Sequence, residues 1–205
     1  MVEPNRSPMS DVAIVAVFAG VIAAFTLVPA IPVGTSGVPI TLQTLAIALA
    51  GLLLGPWRGM AAVLLYLLVG FAGLPVFAQG SAGLGVLVRP SAGYLLAFPL
   101  AALVTGWLAR IVVARVTSPP ARTVGFAVAA LVGSLGLIHP LGVVGLHVNA
   151  QLSWGQAIAA DVIYLPGDLL KAAFAAVIAV AVHRALPTLL ARPQVPPASV
   201  AASHP

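Results

Sequence analysis

Apolar residues occur along this chain in six long blocks, parted by short stretches that carry turn residues, charges or both. A helix crosses a bilayer with about 20 mostly apolar residues, and about 17 is a practical lower limit. The blocks at 12–31, 40–55, 57–74, 91–113, 123–148 and 166–185 approach or meet that length. The pattern therefore predicts an all-α integral membrane protein, with six transmembrane helices inside a membrane domain spanning 12–186. The second block is the shortest, and Gly55-Pro56 sets it off from the third by a tight turn, which makes the two an antiparallel hairpin. Pro99 predicts a kink in the fourth. Residues 1–11 and 187–205 are rich in Pro, Ser and Ala and read as disordered cytoplasmic tails. No internal repeat points to an inverted-repeat transporter.

Composition removes the soluble alternatives. Of the 205 residues, 61% are hydrophobic and 6% are charged, against about 25% charged in an ordinary globular chain. So few charges cannot cover the surface of a water-soluble protein of this size, and lipid must be the solvent for most of it. The net charge of +5 comes from isolated arginines that form no basic patch, so nucleic acid is not a partner. There is no cysteine, which excludes disulfides and thiolate chemistry.

The charges also orient the helices. Arg6, Arg58, Arg110, Arg115, Arg122, Arg184 and Arg192 fall on the side of the N-terminus, whereas only Arg89 and Lys171 fall on the other, beside Asp161 and Asp168. That asymmetry places both termini in the cytoplasm. A competing reading takes Arg6, the first apolar block and Val28-Pro29-Ala30 as a cleaved secretory signal. The block is longer than the apolar core of such signals, and Pro29 stands where cleavage would occur.

Two connections on the outer side are unusually apolar. Residues 30–43 and 75–90 mix Gly and Pro with Val, Leu, Ile and Phe. Irregular apolar backbone is tolerated near a membrane where protein buries it or it lines a cavity. These segments are expected to fold back over the outer mouth of the bundle and cap a pocket; the alternative is a lipid-skimming loop without a ligand. Polar residues gather at the same level. Asp168 and Lys171 are three apart at the start of the last helix, within pairing distance, and Arg89 ends the long outer loop. An Asp–Lys pair can simply neutralise itself, with Lys171 snorkelling outward. Arg89 would add surplus positive charge, which suits a small anion with an apolar body, such as an alkyl carboxylate. Tyr94, Tyr164, Gln43 and Gln79 are candidate neutral hydrogen-bonding partners. His139 and His147 lack an accompanying carboxylate pattern, so His139-Pro140 reads as a bend and no metal is expected. Asp161 and Asp168 are separated by the helix-interrupting Pro166-Gly167.

The chain carries no engine of its own. Lys171 is the only lysine, and it stands between Leu170 and Ala172, which excludes a Walker A loop. No nucleophile elbow, zinc-protease motif or pair of catalytic carboxylates is present, so an enzyme is disfavoured and no cofactor is implied. Uphill transport would need an ion gradient or partner subunits. In the first helix Ala16, Gly20 and Ala24, and likewise Ala19 and Ala23, recur every four residues. Such stripes let helices approach closely, against a partner or within the bundle.

Val38-Pro39-Ile40-Thr41-Leu42-Gln43-Thr44-Leu45, Ala50-Gly51-Leu52-Leu53-Leu54-Gly55-Pro56, Gly73-Leu74-Pro75-Val76-Phe77, Gly93-Tyr94-Leu95 and Pro166-Gly167-Asp168-Leu169-Leu170-Lys171-Ala172 occur in one order. Over about 12–185 they resemble the biotin-specific substrate-binding (S) component of energy-coupling factor (ECF) transporters. The resemblance implies a six-helix protein of the bacterial inner membrane that binds biotin from the outer face. It implies partners as well: a transmembrane coupling (T) subunit, docked on the stripe of Ala16, Ala19, Gly20, Ala23 and Ala24, and a pair of ABC ATPases. By position it makes Asp168 and Lys171 ligand contacts, Arg89 a basic residue of the outer loop, and Gln79 and Tyr94 pocket-lining residues. An S component for another vitamin is the main alternative, and an intramembrane enzyme or structural subunit a more distant one.

Overall fold

A computed structural model describes residues 8–34, 37–187 and 189–190. The expected tails fall mostly outside the described residues, although α1 already begins at Pro8. The described chain is helical: α1 (Pro8–Leu27), α2 (Gln43–Leu54), α3 (Pro56–Phe71), α4 (Ala92–Arg115), α5 (Pro119–Gly133), α6 (His139–Asn149), α7 (Trp154–Val162) and α8 (Leu165–Ala185). The β contacts among the described residues are two isolated bridges, Ile31 with Ile40 and Phe77 with Ser81.

Four helical stretches are long and apolar enough to cross a bilayer: Met9–Leu27, Ala92–Arg115, Pro119–Asn149 and Leu165–Ala185. α2 and α3 have 12 and 16 residues and fall below that length. The second block starts later than its hydropathy suggests because Ile40 is drawn into mutual backbone hydrogen bonds with Ile31, both of 2.9 Å. α2 does not need a full span of lipid-facing surface, since Ala50, Leu52 and Leu54 are completely enclosed by neighbouring helices. The α2–α4 crossing is close: a Cβ on Gly51 would lie 2.7 Å from the Ala102 carbonyl oxygen, and one on Gly106 would lie 2.4 Å from the Gly55 carbonyl carbon. Gly55 takes φ +79° at the α2–α3 turn, a conformation that favours glycine.

Two other elements depart from the pattern. The fifth block continues from Pro119 to Asn149, but a π turn over Ser134–Ile138 joins α5 to α6. Pro140 lacks an N–H and its ring would clash with the carbonyl of Gly136, so a widened turn lets the helix pass through rather than break. α7 was hidden in a stretch that reads as a connection. Ser153 and Gln156 form a reciprocal capping box that starts it.

Outside the bundle, Val17, Leu64, Leu68, Leu96, Leu100, Val124, Val128, Phe174 and Val177 are exposed, an apolar jacket suited to lipid. Arg58 gathers one end of the molecule. Its guanidinium donates to Asp11 at 3.2 Å, to the Leu54 carbonyl at 3.2 Å and to the Leu189 carbonyl at 2.6 Å. The start of α1, the α2–α3 turn and the segment after α8 therefore meet there. The start of α2, with Gln43, lies at the opposite end, where the cavity opens.

Candidate ligand-binding site

A cavity open to solvent at one side, with about 900 Å³ of empty space when the solvent at its mouth is included, lies between the starts of α2, α4 and α8, the α6 end of the π turn, and the two apolar connections. Val38, Phe77 and Val86 of those connections are buried and form its apolar wall with Leu95, Phe98 and Ile138. The connections are held by specific bonds. The Val76 carbonyl accepts from Thr26 at 2.6 Å and from the Tyr66 hydroxyl at 3.1 Å, which fixes residues 75–90 on α1 and α3. Phe77 lies across Gly70, where any side chain would collide with its ring. The Tyr164 hydroxyl donates to the Val38 carbonyl at 2.7 Å and secures the other connection. Asn149 donates to the carbonyls of Leu87 and Arg89 at 3.0 and 2.8 Å.

All seven residues singled out in the sequence line this cavity, in two groups. Gln43, Tyr94, Tyr164 and Asp168 are buried and Lys171 is half-buried, whereas Gln79 and Arg89 are exposed at the mouth. Gln79 sits at φ +58°, in the left-handed region that non-glycine residues rarely adopt. The neutral groups are largely engaged with protein. Gln43 donates to the Tyr66 hydroxyl at 2.6 Å and Tyr94 to Asp161 at 2.7 Å, so each helps to hold the wall as well as to line it.

The floor is ionic. Lys171 donates to Oδ1 of Asp168 at 2.8 Å, as their spacing of three predicts, and to Thr44 at 3.0 Å. Thr44 in turn donates to the same Asp168 oxygen at 2.9 Å. On the other side of the carboxylate, Nε2 of His139 lies 3.0 Å from Oδ2, with the Ser134 hydroxyl at 3.5 Å. Nδ1 of His139 lies 2.8 Å from Oδ2 of Asp161. The interruption between Asp161 and Asp168 therefore does not part them: one imidazole bridges both. His139 is therefore more than a bend beside Pro140, and its carboxylate partners, 22 and 29 residues away, lie beyond any local sequence pattern. The available signal was the cost of ionisable groups in apolar helices, which applies to His139 and Asp161 as much as to Asp168. Both ring nitrogens face carboxylates, and no cluster among the described residues is arranged to hold a metal ion.

The small-residue face of α1 divides in two. Ala19 is buried and Ala23 half-buried in the bundle, while Ala16, Gly20 and Ala24 are exposed. A Cβ placed on Gly20 would meet nothing within 4 Å.

The helical fold is similar to that of a solved structure. The structure of an S component for biotin from an ECF-type ABC transporter superposes with a TM-score of 0.81, covering 89% of this chain and 95% of that one at 24% identity. The sequence identifies the family: residues 3–188 match the BioY family, and the chain belongs to it. It is 38% identical over 182 residues to the biotin transporter BioY of Rhizobium etli, covering 89% of this chain and 97% of that protein. It is also 38% identical over 192 residues to the biotin transporter BioY of Rhodobacter capsulatus, covering 89% and 98%. The Lactococcus lactis biotin transporter BioY2 is 32% identical over 183 residues, covering 89% and 94%.

Proposed function

We propose that this protein binds biotin in the cavity and takes it across the cytoplasmic membrane as the S component of an ECF-type transporter. The observation that carries the reading is the layout of the cavity: a buried ionic floor, apolar walls, and a single arginine at the mouth. Biotin has the matching parts: a ureido group rich in donors and acceptors, an apolar ring and chain, and a terminal carboxylate.

The floor suits the ureido group. Lys171 has three N–H groups and spends two on Asp168 and Thr44, leaving one for the ureido oxygen. Asp168 is the acceptor for the ureido N–H groups. The side chain of Arg89, exposed at the mouth, receives the carboxylate, because Lys171 is already neutralised by Asp168. Gln79 and Tyr94 complete the lining.

The same reading makes α2 and α3 the two short members of a six-crossing bundle, with the cavity mouth facing outward and both termini cytoplasmic, on the strength of the arginine asymmetry. It gives the exposed Ala16, Gly20 and Ala24 face to a T subunit, which brings the pair of ABC ATPases that this chain lacks. Calorimetric titration of biotin into the detergent-purified protein tests the ligand. Sub-micromolar binding is expected; absence of binding, together with a different small molecule found by mass spectrometry of the purified protein, would transfer the site to another solute.

A further inference from the structure

Asp161 is an ionisable residue only 6% exposed, yet it does not line the cavity. A carboxylate in apolar surroundings is costly unless it is paired and hydrogen-bonded. Both of its partners, however, are cavity residues: Tyr94 donates to Oδ1 at 2.7 Å and His139 stands 2.8 Å from Oδ2. His139 then reaches Asp168 at 3.0 Å from its other nitrogen. The chain of contacts runs from α7 through α6 to α8, with Tyr94 of α4 as a branch.

The proton inventory gives this chain a definite charge. Each of the two ring contacts requires one proton, and a neutral imidazole carries one. Asp161, His139 and Asp168 together therefore hold one proton more than a neutral ring and two carboxylates. Their combined charge of −1 is cancelled by Lys171, which is bonded to Asp168.

We propose that Asp161 is a positioning residue for ligand binding: through His139 it holds Asp168 in the orientation that receives the ligand's polar head, and through Tyr94 it holds the adjoining wall. The inference rests on the biotin reading of the cavity. It makes α7, a helix outside the cavity wall, a determinant of affinity. Without the Asp161 charge the ring keeps one N–H, and Asp168 receives its bond from a neutral imidazole in place of a charged one.

Biotin affinities of the wild type, Asp161→Asn, His139→Gln and the double variant test this by calorimetry. Each single change is expected to weaken binding by about tenfold or more, which is the worth of one buried charge-assisted bond. The double variant is expected to bind no more weakly than His139→Gln alone, because Asp161→Asn keeps an oxygen to accept from Tyr94 and so removes only the arm that acts through the ring. Asp161→Asn binding within about twofold of wild type, or effects that multiply in the double variant, would overturn the proposal. A second measurement needs no ligand. With ring nitrogen-15 histidine, the His139 signals, assigned by their loss in His139→Gln, should report a proton for each nitrogen in the wild type and one fewer in Asp161→Asn. Unchanged His139 signals sink the proposal even if the wild type fails to bind biotin, an outcome that would separately sink the ligand reading. Should Asp161→Asn not fold, Asp161→Glu keeps the charge on a longer arm; binding weakened several-fold supports the role, and unaltered binding refutes it.

Discussion

The half of the bundle around the cavity and the half around Leu52 are made of similar helices and filled in opposite ways. Around Leu52, the α8 face of Ala172, Ala175, Ala176 and Ala179 lies against Phe126, Ala129 and Ala130 of α5, and Leu52 itself is fully enclosed. The buried His183 there bonds to the Leu52 carbonyl at 2.9 Å. Around the cavity, the buried set includes Tyr66, Phe77, Tyr94, Phe98 and Tyr164, with Gln43, His139, Asp161 and Asp168 among them. In lipid, helices gain little by hiding apolar surface from one another, so association relies on close packing and hydrogen bonds. The Leu52 half uses the first means. The cavity half uses the second, since rings and carbonyls tied at fixed distances keep a void from collapsing.

Changes that strike each half should therefore have different signatures. The largest effect is expected for Asp168→Asn, which removes the charge that His139, Lys171 and Thr44 share. Truncating one partner of a buried, hydrogen-bonded charge pair at a binding interface costs about 2–5 kcal/mol, so biotin affinity measured by calorimetry should fall by about two orders of magnitude. Next comes Gly106→Val, which drives a side chain into the Gly55–Pro56 backbone, with the first added carbon only 2.4 Å from Gly55. Overpacking costs about 1–3 kcal/mol and sometimes more; the thermal midpoint in detergent should drop markedly, while the molecules that do fold keep their biotin affinity. A loss of affinity without a loss of stability would break the comparison.

Tyr66→Phe sharpens it. The variant leaves Gln43 without its acceptor and removes one of two donors to Val76. A buried hydrogen-bonding group left unpaired costs about 1–3 kcal/mol. The cover formed by residues 75–90 should loosen, seen as a biotin dissociation rate raised by about fivefold or more. The smallest effect is expected for Arg89→Gln at the exposed mouth: binding weaker by only about threefold, with a flatter dependence on salt, as for a charge at the rim of an interface.

Several features could be read from residues alone because they depend on local composition. Long apolar blocks without charge admit no solvent but lipid, so the helical membrane class follows from counting. The Asp168–Lys171 pair follows from a spacing of three on one helix. The small-residue stripe of α1 follows from a period of four, although which half of it faces outward does not. That residues of the two apolar connections would line a cavity could be expected because Gly and Pro mixed with Val and Phe have no comfortable place in water or in a helix.

Folding alone decided how the polar groups share protons and partners. That His139 joins Asp161 to Asp168 depends on a π turn before Pro140 and on a nine-residue helix, α7, that turns Asp161 back toward the bundle. Neither leaves a periodic trace, since the contacts link residues 22 and 29 positions apart. Likewise nothing near Gln43 announces Tyr66, nor anything near Tyr164 the carbonyl of Val38. Hydropathy is a property of each residue and its neighbours and survives in the linear order. A hydrogen bond is set by distance and direction between groups, and for groups far apart in the chain those exist only once the helices have packed.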